Sequence, residues 1–285
     1  MSRVVYVNGE FVPEEAANVS VFDRGFLFSD AVYEVVAVVQ GKLLDFSGHA
    51  KRLRRSLSEI EMDYPFTSED ELLSLFCEIR DRNSLDEGAI YLQVSRGAAD
   101  RSFLFPADSA PTVVLFTQEM NLLNNPAAET GVSVMSFDDE RWGRRDIKTV
   151  QLLYPSLVKT RARKLGADDV WLVQDGYVTE ATSSNAGIVK DGAIITRQLG
   201  HEILPGVTRG AVLNYARDND LLVEERAFTV AEALAADEAF MTSSGTFVLP
   251  VVRIDNQPVA NGKPGPISRD LRKIYLNEML EKRES

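Results

Sequence analysis

Cysteine, histidine and tryptophan are scarce: one, two and two in 285 residues. A lone Cys77 cannot form an internal disulfide, and its expected place is a helix packed on a core. His49 and His201 are far apart, and no H-E-x-x-H or C-x-x-C spacing occurs, so no metal centre is expected. The same shortage, with no G-x-S-x-G turn, weighs against a Ser-His-Asp hydrolase. Neither a P-loop nor a G-x-G-x-x-G is present, which removes two common nucleotide cradles. Positive charge is short as well: 31 Lys and Arg against 43 Asp and Glu leave a net −12. Phosphate backbones demand an excess of basic residues, so a nucleic-acid partner is not expected, although a local basic pocket for a small anion stays open. No apolar run is long enough to span a membrane. Met1-Ser2-Arg3-Val4 runs straight into a strand pattern, so no leader is expected and the chain reads as cytoplasmic. Asn18-Val19-Ser20 fits a glycosylation sequon, which reads as chance without a secretion signal.

What is present is an ordinary globular balance, 45% hydrophobic and 26% charged, over a length that suits one large or two medium domains. Val4–Val7, Asn8-Gly9 and Glu10–Val12 predict a hairpin, because Asn-Gly takes up positive φ at both turn positions. Asp23-Arg24-Gly25 marks a loop, and Ala31–Val39 a β-branched strand that turns at Gln40-Gly41 into Lys42–Phe46. Helices are predicted from Ser47, with Leu53, Leu57 and Ile60 inward, and from about Ser68 to Arg82. Strands follow at Ala89–Ser95 and Thr112–Thr117. Asn121, Asn124, Asn125 and Pro126 mark a linker. Beyond it lie a strand Val132–Phe137, a second ending at Lys148, and a helix Thr149–Leu165. Two hairpins turn at Asp175-Gly176 and Asp191-Gly192. Helices at about 208–219, 231–235 and 268–282 and a strand Ala239–Met241 complete an α+β chain. The expected division is a small α/β domain over 1–119, a linker over 120–128 and a larger domain over 129–285.

Several short stretches could carry chemistry. In Arg141–Thr149 the residues Arg144, Asp146 and Lys148 alternate as on one strand face. An amine at such a strand end, near packed apolar residues, could be desolvated and so freed to attack a carbonyl. By itself this does not separate a catalytic amine from an ordinary exposed lysine. Gly206-Val207-Thr208 could open a helix whose free N–H groups face an anion, or be a plain capped helix. Thr242 to Thr246 is rich in hydroxyls that could meet phosphate oxygens, or is a bare turn. Arg52 could clamp a phosphate, or lie at the surface. Glu180 closes a hairpin strand and could be merely exposed there.

Together and in order, the stretches say more. His49-Ala50-Lys51-Arg52-Leu53, Asp146-Ile147-Lys148, Thr179-Glu180-Ala181-Thr182-Ser183-Ser184-Asn185, Leu204-Pro205-Gly206-Val207-Thr208-Arg209 and Thr242-Ser243-Ser244 resemble the motifs of the fold-type IV transaminases. The resemblance runs from Tyr6 to the last helix. It implies a two-domain chain, with a small α/β N-terminal domain and a larger C-terminal domain around a β-barrel-like core. It also implies pyridoxal 5′-phosphate (PLP) as cofactor and a homodimer. Lys148 matches the lysine to which PLP is covalently joined and which moves the substrate proton. Glu180 matches the carboxylate beside the pyridine nitrogen. Arg52, Gly206, Val207, Thr208, Ser243 and Ser244 match the phosphate cradle, Leu204 a residue packed on the ring, and Ser183 and Ser184 supports nearby.

Within that family, Asp23-Arg24-Gly25, Val32-Tyr33-Glu34-Val35-Val36 and Arg141-Trp142 through Lys148 are most similar to the D-amino-acid aminotransferases. Branched-chain aminotransferases usually carry Gly-Asn-Tyr after the lysine, where this chain has Thr149-Val150-Gln151. The resemblance implies transamination of D-amino acids with pyruvate or 2-oxoglutarate by a ping-pong mechanism. Tyr33 and Arg101 match residues that meet the substrate carboxylate. The chain departs from the pattern at Phe103, where the best-known D-amino-acid enzymes have a histidine; a phenyl ring donates no hydrogen bond and makes the pocket more apolar. An (R)-selective amine transaminase, or an enzyme with both activities, therefore stays open. A branched-chain aminotransferase and an aminodeoxychorismate lyase are the remoter alternatives.

Overall fold

The structure is a computed structural model and describes residues 2–281. The chain forms two units. Among the described residues, the first takes in 2–121 together with Ile147–Gln151; the second takes in Leu122–Asp146 and 152–281.

Unit one contains β1 (Val4–Val7), β2 (Glu10–Pro13), α1 (Arg24–Phe28), β3 (Ala31–Val39), β4 (Lys42–Leu43), α2 (Phe46–Glu59), α3 (Glu69–Arg82), β5 (Glu87–Ser95) and β6 (Thr112–Glu119). The strands form one sheet in the order β2-β1-β6-β5-β3-β4. Asn8 and Gly9 take positive φ, 48° and 100°, which sets the first hairpin as its sequence predicts. Ser68 caps α3 by accepting from the Glu71 N–H at 3.1 Å, an arrangement that contributes about 1 kcal/mol. Leu53 and Leu57 of α2 and Phe76 and Ile79 of α3 pack with Ile90, Leu92 and Leu115 of the sheet in one core. Cys77 lies half-buried against it. Two starts differ from expectation. Asp23 accepts from the Gly25 N–H and opens the short helix α1 where a loop was expected. Helix α2 begins at Phe46 after Asp45 at φ 54°, with no side-chain cap, so Ser47 is already inside it.

Residues 147–151 join this unit by backbone pairing. The Tyr33 N–H donates to the Lys148 carbonyl at 3.0 Å, the Val150 N–H to the Ala31 carbonyl at 3.2 Å, and Val32 bridges Thr149. Ile147 sits in the core.

Unit two contains α4 (Pro126–Thr130), β7 (Val132–Asp138), α5 (Leu153–Lys164), β8 (Asp169–Gln174), β9 (Tyr177–Ala181), β10 (Asn185–Lys190), β11 (Ala193–Thr196), α6 (Val207–Asp218), β12 (Val223–Glu225), α7 (Val230–Leu234), β13 (Glu238–Ser243), β14 (Phe247–Ile254), β15 (Gln257–Pro258) and α8 (Pro266–Glu281). Its sheet runs β12-β11-β10-β13-β14-β7-β8-β9, with β15 against β14. Antiparallel hairpins dominate. The connection from β7 to β8, however, joins parallel strands, and the Lys148 segment lies along it.

Four expectations are corrected here. The run up to Lys148 is not a strand, since only Thr149 pairs with one. Its charge alternation comes from the local pair Arg144 Nε–Asp146 Oδ1 at 3.0 Å. The helix after it starts at Leu153 rather than Thr149 and buries Pro155, Val158 and Ala162, while Leu153, Leu157 and Leu165 face outward. The irregular run expected over 120–128 ends early, with residues 126–128 opening α4, because Asn125 accepts from the Ala127 N–H and Pro126 suits the first helical position. Strand β14 is absent from the expected elements, and Pro250 within it can donate no ladder hydrogen bond. Its pairing with β7 begins only at Val251, so Pro250 has the single strand neighbour β13. Among the described residues no helix is long and apolar enough to cross a membrane.

Candidate active site

In unit one the pairing of residues 148–150 with β3 sets Lys148 beside Tyr33. The half-buried Lys148 ammonium lies 4.2 Å from the Tyr33 ring centroid, a favourable cation–π distance. Tyr33 in turn stacks on Tyr91 at 5.5 Å.

Arg52 is buried rather than at the surface. Helix α2 places His49 and Arg52 one turn apart on its inner face, and Glu34 of β3 meets both. Arg52 donates from Nε to Glu34 Oε1 at 2.8 Å and from Nη2 to Oε2 at 2.7 Å; His49 Nδ1 lies 2.7 Å from Oε2. Burial alone would raise the Glu34 pKa, but the charge and hydrogen bonds of Arg52 outweigh it and hold Glu34 well below the usual range. For His49 burial dominates and the pKa falls despite Glu34, which keeps the imidazole neutral.

In unit two Glu180 comes from β9 and is buried at 5% exposure. Arg141 Nη1 donates to Oε1 at 2.6 Å, while Asn185 Nδ2 and the Leu204 N–H both donate to Oε2 at 3.0 Å. Arg141 is itself fixed on Asp139, Nη2 to Oδ2 at 2.7 Å. Burial pushes the Glu180 pKa up, against the pull of Arg141. Burial would lower the Arg141 pKa, but the carboxylates of Asp139 and Glu180 prevail and hold it charged.

Helix α6 begins at Val207 with Gly206 as its N-cap; no side chain caps it, and no acidic residue stands in its first turn. A Cβ on Gly206 would run into Asn185 Oδ1. Asn185 is thus the junction: it pairs with Thr242 across the sheet, touches Gly206, and donates to both Glu180 and the Leu204 carbonyl. Ser243 ends β13 and its hydroxyl meets that of Thr246 at 2.8 Å, with Ser244 in the turn between them. Ser183 is exposed and Ser184 half-buried in the turn from β9 to β10. An uncapped helix N-terminus and a hydroxyl turn, both adjoining one asparagine, suit a phosphate ester. A buried carboxylate such as Glu180 suits a protonated ring nitrogen.

Arg101 and Phe103 lie exposed on the loop between β5 and β6, Phe103 at 82%. Arg141, Asp139, Asn185 and Glu34 are the supports that sequence reading missed as site residues. For Glu34 a signal existed: a carboxylate inside the apolar run Val32–Val39 must be paired if buried.

The family model of amino-transferase class IV matches residues 31–254. The chain belongs to the class IV aminotransferases, as its ordered motifs led one to expect. Among curated proteins it is similar to the D-alanine aminotransferase of Bacillus licheniformis, 39% identical over 97% of both chains. It is also 37% identical to that of Staphylococcus haemolyticus over 99% of both. Among solved structures it is similar to a T.th. branched-chain amino acid aminotransferase with pyridoxamine 5′-phosphate. That likeness has a TM-score of 0.90 and 26% identity, and covers 100% of this chain and 96% of the other. The Escherichia coli branched-chain enzyme shares the fold, with a TM-score of 0.89, 22% identity and coverage of 100% and 97%.

Proposed function

We propose that this chain is a PLP-dependent transaminase of D-amino acids that passes the amino group to pyruvate or 2-oxoglutarate in a ping-pong cycle. The observation that carries this reading is the 39% identity over nearly the whole of a D-alanine aminotransferase. The similar branched-chain enzyme with its pyridoxamine 5′-phosphate supports the cofactor.

PLP, when bound, supplies an aldehyde for covalent attachment and a ring that withdraws electrons. Lys148 provides the amine for that attachment and, at Nζ, takes the proton from the donor α-carbon. Glu180 holds the ring nitrogen protonated by opposing it with negative charge. Arg52, the N–H groups at Gly206, Val207 and Thr208, and the hydroxyls of Ser243 and Ser244 hold the phosphate. Each charge-assisted hydrogen bond contributes about 1.5–3 kcal/mol, so several keep the cofactor through both half-reactions. Leu204 would pack on the ring, and Ser183 and Ser184 would support its hydroxyl and phosphate side. Tyr33 and Arg101 bind the substrate carboxylate. We further propose a cytoplasmic homodimer; the outward Leu153 and Leu157 and the exposed Phe103 support it as apolar surface.

A second reading, activity on (R)-primary amines, is favoured by Phe103, which stands where a hydrogen-bonding histidine would tighten the grip on a carboxylate. The deciding experiment is a donor screen with both enantiomers of alanine, glutamate, leucine and 1-phenylethylamine, with and without a 2-oxo acid. D-Amino acids are expected to react fastest. Faster turnover of the L-series, or pyruvate release without an acceptor, overturns the reading. Light scattering at the mass of one chain removes the dimer.

A further inference from the structure

The loop that carries Arg101 is held by a set of contacts that the proposed reaction does not use. Its base is closed: Gly97 takes φ +93°, and a Cβ there would run into the Ala110 carbonyl. The Arg24 N–H donates to the Gly97 carbonyl at 2.9 Å, and the Ala99 N–H to that of Phe22 at 3.2 Å. A compact loop with joined ends results.

The tip is held from below. Arg24 Nη1 donates to the Ser102 carbonyl at 2.7 Å, and the Arg96 guanidinium lies 3.6 Å from the Phe105 ring centroid. Both arginines are buried, at 3% and 8% exposure, and both are fixed on Asp30. Arg24 Nε reaches Asp30 Oδ2 at 2.7 Å; Arg96 Nε reaches the same oxygen at 2.8 Å and its Nη2 reaches Oδ1 at 3.1 Å. Arg96 also donates to the Ile60 and Glu61 carbonyls. Phe28 lies between Arg24, at 4.5 Å, and Arg101, at 5.4 Å, with Phe103 edge-on at 5.6 Å.

A loop with exposed Phe103 and Leu104 would sample many shapes without such fixings. Ordering a long side chain at binding costs conformational entropy, and an ordered backbone lowers that cost. We propose that Arg24 and Arg96, joined through Asp30, are positioning residues that fix residues 102–105, so that Arg101 meets the substrate carboxylate already in place. This rests on the reading of Arg101 as the carboxylate ligand. Asp30 keeps its two-pronged bond to Arg96 when Arg24 is lost, so the fold should tolerate the change.

The test uses the holoenzyme and the variants Arg24→Met, Phe105→Ala and Arg101→Ala. Steady-state kinetics with D-alanine and with the 2-oxo acid are combined with hydrogen exchange over residues 98–108. For Arg24→Met and Phe105→Ala, KM for both carboxylates should rise about fivefold or more, with kcat within about twofold and faster loop exchange. Faster exchange with unchanged KM makes the clamp structural only and overturns the proposal; so does unchanged exchange. If Arg101→Ala raises KM and the other two variants do not, the proposal alone fails. If Arg101→Ala leaves KM unchanged, the carboxylate reading fails and takes the proposal with it. Phe105 is half-exposed, so its variant decides the matter should Arg24→Met not fold.

Discussion

Arg141 and Glu180 meet at 2.6 Å, Nη1 to Oε1, with 12% and 6% of their side chains exposed. Asp139 holds the arginine from the other side, so a cation lies between two carboxylates away from water. Removing Arg141 takes the ion-pair partner from the buried Glu180 carboxylate, whereas removing Glu180 leaves Arg141 paired with Asp139.

The first prediction follows from that pair. Burial already pushes the Glu180 pKa up and Arg141 restrains it. Without the guanidinium the pKa climbs further, and Glu180 takes a proton at higher pH. Arg141→Met should therefore move the acid limb of the kcat–pH profile upward by about one unit or more. A lower kcat with an unmoved limb would make Arg141 a packing residue only.

Glu34 makes the opposite prediction for stability. Its folded pKa lies below the ordinary 4.5, so the stability it contributes is present above that value and is lost as pH falls toward the folded pKa. Glu34→Gln should cost about 3 kcal/mol at neutral pH, because it takes the ion-pairing carboxylate away from the buried Arg52 guanidinium. The same variant should flatten the acid slope of urea-unfolding stability; an unchanged slope would remove Glu34 as its source.

Lys148 is tested chemically. Borohydride treatment of the PLP-loaded protein followed by peptide mapping should place the label on Lys148. In Lys148→Ala the label should vanish and kcat should fall by about 10²–10⁴, the span of a lost general base. A label on any other lysine contradicts the assignment.

Gly206 is the fourth case. Since a side chain there displaces Asn185, Gly206→Ala should disturb Glu180 and Leu204 together. Losing buried hydrogen bonds costs about 1–3 kcal/mol, so PLP should bind the apoprotein about tenfold more weakly. Unchanged affinity with a lower Tm would limit Asn185 to holding the fold.

Hairpins were readable because their turns are local: Asn8-Gly9, Asp175-Gly176 and Asp191-Gly192 all take the positive φ their residues predict. The Lys148 run misled for an equally local reason, an ion pair two residues apart that imitates strand alternation. Periodicity located α5 but not its face: Leu153 and Leu157 repeat at helical spacing yet lie outward, and packing buries Pro155, Val158 and Ala162 instead. The order of motifs carried the family. The charges that support them did not show, because Glu34 and Arg52 are 18 residues apart and Arg141 and Glu180 are 39 apart. Only folding brings such partners together.

Arg24 grips Ser102 through a main-chain oxygen, which every amino acid possesses. That contact is therefore blind to the side chain at position 102, whereas Phe105 is held by its ring. Replacing Ser102 or Leu104 should leave that main-chain attachment intact, whereas replacing Phe105 takes away the ring on which Arg96 lies. Donor preference could thus be varied at positions 102 and 104 while the anchoring by Arg24 stays in place.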